Sequence, residues 1–343
     1  MTAVADEGPV SARLGQPAQA LLRRALGAAL ERELGVRIVR VAGFGRNLSF
    51  QAEKDGQPEL LKVFLGQGAA DRAARLSRLA SLPGRSPLPM PELREMLELG
   101  IGEEVLFVAR QEYVAGPTIA EVARTLTAVE KDGLAYEVGE ALAAVHDRRP
   151  AAAEEPRWEM AGPPVSRRQL MRQVLRARTD RRAEVPAACQ DLARRVFAAL
   201  EGLMAAPGVA TEEASGWRRL IHGDAKFCNI IRRSDLRADL RADRRADRRA
   251  GVALIDWEES VLHDPSWELS YLALDGQWAA LLPWPSFLAG YRPGAEGPVM
   301  ADRVRFWQGC QLMRRLISSA GEARSVRWWA ALLDRWLTAG GPL

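Results

Sequence analysis

An acid and an amide lie five residues apart in the segment LIHGDAKFCNII, between two apolar runs. These residues are Asp224 and Asn229, and a second acid, Asp256, follows the next apolar run. In phosphoryl transfer one Asp orients the attacking hydroxyl and can accept its proton, and an Asn five residues later helps to hold a metal. A further Asp after the next strand binds the metals that bridge the phosphates. The spacing therefore predicts phosphoryl-transfer chemistry, with Asp224 catalytic and with Asn229 and Asp256 as ligands of Mg²⁺.

A lysine and a glycine-rich turn upstream suit the phosphates of a nucleotide. Lys62 lies in ELLKVFL, and a lysine buried in such apolar text needs an anionic partner. In AGFGRNLSFQ, Gly43 and Gly45 allow the backbone to approach phosphates closely, and Asn47 follows them. We predict that these four residues bind the phosphates of a nucleotide.

Each of these signals also has a plainer explanation when it is taken alone. The glycines fit an ordinary hairpin turn, Lys62 fits a solvated edge strand, and the acids and the amide fit turn caps. Their common order along the chain, with the lysine and glycines before the acid and amide, favours one functional site.

Hydrophobic periodicity predicts a small sheet in the first third of the chain. Residues Pro17–Leu34 have helical spacing, and three β-rich runs follow, the last two joined by a turn at Lys54-Asp55-Gly56-Gln57. A helix after Gly68 and two further strands, Leu93–Leu99 and Glu104–Glu112, complete a predicted five-stranded sheet.

After Gly116 the pattern changes to helices, which a single β-hairpin around Asp224 interrupts. The sequence therefore predicts an α+β fold of two lobes. The small β-rich lobe covers residues 1–115, of which 1–16 are expected to be flexible, and the larger helical lobe covers residues 116–343.

A near-repeat of Arg, Ala and Asp separates the two arms of the predicted hairpin. Asn229 and Asp256 are too far apart in sequence for a tight hairpin, but removing residues 235–250 leaves a length that suits two strands and a turn. We therefore predict an insertion at the hairpin tip, either a solvated helix or a disordered segment, outside the core. A docking element is the alternative.

Composition narrows the function classes. The net charge is +4, but the 48 basic residues include only four lysines, and no groove-entering motif accompanies the arginines, so we expect no nucleic-acid partner. No apolar run is long enough to cross a membrane, and no secretory signal is recognisable, so a cytoplasmic protein is expected. The three cysteines are predicted to be buried free thiols.

Two segments resemble the aminoglycoside phosphotransferase and choline kinase-like family of small-molecule kinases. They are HGDAKFCN, His222 to Asn229, and LIDWEESVLHDPSWELSYL, Leu254 to Leu272, with support from Lys62 and the glycine turn. The resemblance implies a bilobal protein-kinase-like fold with ATP or GTP between the lobes and transfer to a hydroxyl of a small molecule.

The resemblance also implies roles for other residues. The nucleotide base would meet the backbone around Glu112 to Val114, in QEYVAGPTI. Asp264 would brace the metal-binding segment, and His222 would shape the catalytic loop. The absence of HRD, DFG and APE text argues against a conventional protein kinase.

Three departures from the family pattern bear on function. The helix after the lysine strand has no Glu to pair with Lys62, only Asp71, so the partner is either Asp71 through a water or another residue. The loop has Ala225-Lys226 where many members have an apolar residue and a His, so Lys226 is a candidate contact for phosphate or acceptor. From Pro265 onward there are six acids and eight arginines, which favours a neutral or anionic acceptor. The missing Glu also leaves open a nucleotide-binding pseudokinase that serves as a scaffold.

Overall fold

The computed structural model describes residues 16–44, 46–82, 88–101, 104–148, 166–210, 217–234, 251–274, 282–291 and 297–339. Gly45, the first 15 residues and the predicted insertion at 235–250 lie outside the described residues. A five-stranded antiparallel sheet is followed by a mainly helical half, which confirms the predicted α+β bilobal fold. The exact lobe boundary at residue 115 stays a prediction.

The described part of the first lobe contains two helices and one sheet in the strand order β1-β2-β3-β5-β4. Its elements are α1 (Gln16–Leu34), β1 (Arg37–Phe44), β2 (Asn47–Lys54), β3 (Gln57–Phe64), α2 (Ala69–Ala80), β4 (Leu93–Ile101) and β5 (Glu104–Glu112). The turn from β2 to β3 is as predicted, since Asp55 and Gly56 both have positive φ, 52° and 75°, as a two-residue hairpin loop requires. Helix α2 packs one apolar stripe, Ala73, Leu76 and Leu79, toward the core.

The second lobe is built from helices and two short ribbons. Its helices are α3 (Ile119–Val122), α4 (Ala128–His146), α5 (Arg167–Asp180), α6 (Gln190–Ala205), α7 (Pro265–Leu274), α8 (Trp284–Tyr291), α9 (Gly297–Ser318) and α10 (Ala323–Thr338). Capping boxes start α4 and α5, where Thr127 pairs with Glu130 and Ser166 with Gln169. Helices α4 and α8 cross closely at Gly290, where an added Cβ would lie 2.0 Å from the Tyr136 carbonyl oxygen.

The two ribbons correct the predicted single hairpin. The strands are β6 (Arg219–Ile221), β7 (Ile230–Arg232), β8 (Val252–Leu254) and β9 (Val261–His263), and β6 pairs with β9 while β7 pairs with β8. The segment LIHGDAKFCNII cannot form one strand, because a loop and a short 3₁₀ helix, Phe227–Asn229, interrupt it after Ile221. The β7–β8 ribbon lies between β6 and β9 in the sequence. This arrangement places the loop after β6 beside the loop after β8.

The buried apolar residues that the structure describes form three clusters, one in the sheet lobe, one around α4 and the ribbons, and one among α5, α6, α9 and α10. Trp257, Trp307 and Trp336 are fully buried. Cys189 and Cys310 are buried free thiols as predicted, but the prediction for Cys228 is wrong, since it is exposed. Its neighbours Phe227 and Asn229 in the 3₁₀ helix face inward and leave Cys228 outside. None of the described helices is both long and apolar enough to cross a membrane.

Candidate active site

Lys62 joins the two lobes. It lies in β3, opposite Ser49 of β2, which is itself opposite Gly43 of β1, so the lysine and this glycine occupy one row across the sheet. The Lys62 side chain is only 8% exposed, and its Nζ lies 2.6 Å from Oδ1 of Asp256 in the other lobe. It also forms an ion pair with Glu258. The prediction that this lysine is buried and needs an anionic partner is confirmed.

Asp256 and Glu258 belong to the turn that follows β8. Asp256 has φ of 71°, a conformation rare outside glycine and often found at functional sites, and it precedes the 3₁₀ helix Trp257–Glu259. The Asp256 side chain is 46% exposed, whereas that of Glu258 is 5% exposed. Asn47, at the start of β2, donates from Nδ2 to Oε1 of Glu258 at 2.6 Å. The turn therefore presents one accessible and one buried carboxylate.

Lys62, Asp256 and Glu258 influence one another's pKa values. Burial opposes the charge on Lys62, but Glu258 and Asp256 together raise its pKa. Burial likewise opposes the charge of Asp256, yet Lys62 and a hydrogen bond with Glu258 lower the pKa of this carboxyl. Burial raises the pKa of Glu258 to about 7; Lys62 opposes this shift, while the neighbouring Asp256 charge adds to it. Asp256 is therefore the carboxylate of the pair that holds its charge most firmly.

Asp224 and Lys226 lie in the loop between β6 and the 3₁₀ helix, and Asn229 is the last residue of that helix. The Asn229 Nδ2 donates to the Asp224 carbonyl oxygen at 2.9 Å and to Oδ2 at 3.1 Å. Lys226 Nζ lies 2.7 Å from Oδ1 and 2.9 Å from Oδ2 of the same carboxylate. Because the amide nitrogen of Asn229 faces Asp224, its oxygen is the atom left to serve as a metal ligand.

A network of buried hydrogen bonds around Glu268 supports the Asp224 loop. Glu268 of α7 accepts hydrogen bonds from the backbone N–H groups of Gly223 at 2.6 Å and His222 at 3.1 Å. Its Oε2 also lies 2.9 Å from Nε2 of His146, whose Nδ1 lies 2.7 Å from the Tyr291 hydroxyl. Although burial opposes its charge, hydrogen bonding and charge interaction with His146 lower the pKa of Glu268. This carboxylate fixes the backbone just before Asp224.

His222 connects the two site loops. Its Nε2 lies 2.9 Å from the carbonyl oxygen of Ile255, and its Nδ1 accepts a 3.3 Å hydrogen bond from the Asp224 backbone N–H. These bonds define a neutral ring that donates from Nε2, and burial lowers the pKa of His222 accordingly. The contacts of His222 therefore agree with its predicted role in shaping the loop.

The segment after β5 is tied to the β7–β8 ribbon. The Glu112 carboxylate accepts from Arg233 at 2.8 and 3.2 Å, and the Ala115 carbonyl accepts from the Ser234 N–H at 2.9 Å. Gly116 has φ of 142°, and a Cβ there would lie 2.0 Å from the Arg232 carbonyl oxygen. Val114, between these contacts, is buried. The predicted base-binding segment is thus a fixed connection between the lobes.

The structure brings Asp224, Asn229, Asp256, Lys62 and Asn47 to the junction of the lobes. Of the predicted phosphate-binding glycines, Gly43 lies in the row of Lys62, and Gly45 lies outside the described residues.

Sequence reasoning missed two acids. Glu258 forms an ion pair with Lys62, and Glu268 supports the loop that carries Asp224. For Asp264, which was expected to brace the metal-binding segment, the contacts are with Ser266, at 2.6 Å, and Arg167, at 3.2 Å. Glu258, Glu268 and Asp264 are all buried, and no local pattern in the sequence marks that burial.

A two-lobed fold with a buried lysine, two acids and an amide at the lobe junction defines a protein-kinase-like phosphotransferase. A family model described as the phosphotransferase enzyme family matches residues 37–307, which is most of the chain. The chain belongs to this family and is a kinase of small molecules. The alternative of a non-catalytic scaffold finds no support in this match.

Solved structures show the same fold at low sequence identity. The GDP complex of aminoglycoside 2′-phosphotransferase-IIIa is 16% identical, with a TM-score of 0.63 over 93% of this chain and 98% of that one. Aminoglycoside phosphotransferase APH(4)-Ia is 16% identical, with a TM-score of 0.61 over 94% and 99%. The gentamicin complex of APH(2″)-IIa is 13% identical, with a TM-score of 0.54 over 92% and 95%. No curated protein matches the sequence.

Proposed function

We infer that the protein transfers the γ-phosphate of ATP or GTP to a hydroxyl of a neutral or anionic small molecule. The observation that carries this proposal is the 2.6 Å contact between Lys62 of one lobe and Asp256 of the other, beside the Asp224–Asn229 loop. Phosphoryl transfer needs a cation for the phosphates, oxygen ligands for a metal and an acid for the acceptor hydroxyl at one place. These residues supply all three.

Asp224 is the proposed catalytic residue. Its carboxylate is held at the end of a loop whose backbone is fixed through Gly223, so it can orient a hydroxyl and accept the proton when the oxygen attacks phosphorus. Lys226 lies against both carboxylate oxygens, where a cation can balance the charge of the phosphoryl group in transit.

Asp256 and Asn229 are the proposed ligands of Mg²⁺. Magnesium prefers oxygen ligands and commonly takes one or two from the protein, with the remainder from substrate phosphates and water. The accessible Asp256 carboxylate and the Asn229 amide oxygen fit that donor set. When bound with the nucleotide, the metal would neutralise charge on the β- and γ-phosphates.

Lys62, Gly43, Gly45 and Asn47 are the proposed phosphate-binding residues, and the backbone of Glu112 and Val114 is the proposed contact for the base. Solved relatives are complexes with GDP for the 2′-phosphotransferase-IIIa, and with ADP and hygromycin B for a variant of APH(4)-Ia. Both nucleotides therefore belong in the first binding test.

The charge of the second lobe supports a neutral or anionic acceptor. Beyond Pro265 arginines outnumber acids, eight to six. The Arg315 guanidinium lies over the rings of Trp329 and Tyr271, at 4.9 and 5.7 Å from the ring centres. A polycationic acceptor would meet these cations and Lys226 rather than an acidic pocket.

The experiment is a transfer assay with γ-labelled ATP and GTP against sugars, amino alcohols, hydroxy acids and aminoglycosides. Thermal shift with a non-hydrolysable nucleotide can select the acceptors first, since a ligand of the folded state raises the melting temperature. We expect transfer to at least one neutral or anionic acceptor and a loss of about 10²–10⁴-fold in Asp224→Ala.

Asp191→Ala is the matched control, because Asp191 is an exposed acid of α6 and should leave the rate unchanged. Nucleotide binding without transfer to any acceptor would revive the scaffold alternative. Transfer that survives in Asp224→Ala would remove Asp224 from the catalytic role.

A further inference from the structure

We propose that Glu258 is the positioning residue that holds Lys62 toward the nucleotide phosphates, in place of an acid from helix α2. This inference rests on the function proposed above. Within the described part of the chain, Lys62 pairs with Asp256 and Glu258, and neither belongs to α2. Asp71, the acid at the start of α2, is not among its partners.

The position of Glu258 is fixed from three sides. Its carboxylate pairs with Lys62 and accepts from Asn47 Nδ2 at 2.6 Å, and its backbone carbonyl accepts from Arg75 Nη1 at 2.9 Å. Arg75 is on α2, so this helix meets the turn after β8 through a basic side chain rather than an acidic one. The carboxylate that faces Lys62 therefore comes from the opposite lobe.

The two carboxylates that contact Lys62 have different proposed roles. Asp256 is 46% exposed and is the proposed metal ligand, so its oxygens are shared with Mg²⁺ when the nucleotide is bound. Glu258 is 5% exposed and remains available to Lys62. Burying the Lys62 ammonium without such a partner would cost free energy. Without Glu258 the side chain could also turn away from the phosphates.

The neighbouring Glu259 provides a matched control. It is 49% exposed and pairs with Arg46 at 2.7 Å, and it has no contact with Lys62 among the described residues. Glu259→Gln makes the same chemical replacement as Glu258→Gln, an amide for a carboxyl group, one position further along the chain. Any effect specific to Lys62 must then be absent from the Glu259 variant.

The first test is a crystal structure of the protein with Mg²⁺ and a non-hydrolysable analogue of ATP or GTP. We expect a Glu258 oxygen within about 2.7–3.2 Å of Lys62 Nζ and no Glu258 oxygen at the about 2.1 Å of a magnesium ligand. A Glu258 that binds the metal, or a Lys62 that has moved to Asp71, would overturn the proposal.

The second test compares the steady-state transfer rates of Glu258→Gln and Glu259→Gln, with an acceptor found in the transfer assay described above. We expect kcat to fall by about 10–100-fold in Glu258→Gln, with the Mg²⁺ concentration for half-maximal rate unchanged. Lys62→Met and the double variant Lys62→Met/Glu258→Gln should be equally slow, because Glu258 acts through Lys62.

The remaining outcomes separate this inference from the proposed function. Additive losses in the double variant, or a raised Mg²⁺ requirement in Glu258→Gln, would contradict the positioning role alone. A wild-type protein that binds neither nucleotide by calorimetry would contradict the proposed function instead. Melting temperatures of all variants identify any loss of rate that comes from unfolding.

Discussion

Glu268 accepts a 2.6 Å hydrogen bond from the backbone N–H of Gly223, the residue before Asp224. The proposed catalytic carboxylate is therefore positioned through its main chain by an acid of a different element, helix α7. The same acid pairs with His146 of α4 at 2.9 Å, so two helices and the loop share one buried charge. Such a network is stable only when each donor keeps its acceptor.

Replacing this acid by its amide tests the network. In Glu268→Gln one carboxylate oxygen becomes an NH₂ group, which must face either the Gly223 N–H or the His222 N–H and His146 side. We expect the free energy of unfolding to fall by about 2–4 kcal/mol, as measured by urea denaturation. The exposed Glu201→Gln on α6 should change it by less than about 0.5 kcal/mol. Equal stability of the two variants would show that the network contributes little.

Gly223 is a second test of the same loop. It has φ of 85°, and a Cβ there would lie 2.2 Å from the Glu259 carbonyl oxygen, so Gly223→Ala must separate the two site loops. We expect loss of transfer activity and destabilisation of more than about 2 kcal/mol in thermal unfolding.

Gly133→Ala is the control, since a Cβ at Gly133 meets nothing within 4 Å inside α4. That substitution should stabilise the protein by about 0.5–1 kcal/mol and leave activity intact. If Gly223→Ala retained full activity, the two loops would not need the close approach seen here.

The four polar residues of the proposed site could be predicted because each lies within or next to a run of apolar residues. Lys62 lies within a buried strand, and Asp224, Asn229 and Asp256 each follow or precede a short strand. Residue type and order along the chain were sufficient for them. The strands of the sheet were also accessible, since the alternation of apolar residues in β2 and the Asp55-Gly56 turn are local properties, although β4 extends beyond its predicted end at Leu99 to Ile101.

The supporting acids could not be predicted, because nothing local distinguishes them. Glu258 and Glu259 are adjacent acids, yet one is buried against Lys62 and the other pairs with Arg46 at the surface. Which of the two turns inward depends on contacts with strands about 200 positions earlier in the chain. The single predicted hairpin failed for the same reason, since the β6–β9 pairing joins segments on either side of β7 and β8.

The buried histidines predict how stability depends on pH. Burial lowers the pKa of His263 and His222 below the usual 6.5, so both are neutral in the folded protein while the unfolded chain takes up protons below that value. Their contribution to stability is therefore present above about pH 6.5 and is lost as the pH falls below it. Each contributes a slope of up to about 1.4 kcal/mol per pH unit.

The variant His263→Phe removes one of these two titratable groups. The residue lies 5.4 Å from the rings of Trp267 and Trp307, so phenylalanine keeps the aromatic contacts and removes the titration. Urea unfolding at pH 7.5, 6.5 and 5.5 should show a shallower loss of stability for this variant than for the wild type. Parallel curves would mean that His263 is equally protonated in the folded and unfolded states.

Lys226 is expected to affect the rate more than nucleotide binding. Its Nζ lies within 2.9 Å of both Asp224 oxygens, next to the atom that would receive the acceptor proton. Lys226→Met should lower kcat by about 10²-fold with little change in KM for the nucleotide, because the lost charge stabilises the group in transfer. Lys131→Met, on α4, is the control. A selective rise in KM for the acceptor would instead assign Lys226 to acceptor binding.

The insertion at 235–250 is predicted to be dispensable, and the ends that flank it suggest how to remove it. The Arg233 N–H donates to the Gly251 carbonyl at 3.0 Å, so these residues face each other just beyond Arg232 and Val252, the last pair of the β7–β8 ribbon. Replacing residues 234–250 by Asn-Gly would close this pair with a two-residue hairpin turn. The backbone N–H that binds Ala115 is retained, because Asn replaces Ser234 at the same position.

We expect unchanged transfer rates and a melting temperature within a few degrees of the wild type. A shortened protein that folds but loses transfer would favour the docking element, since Asn229 and Asp256 would keep their positions.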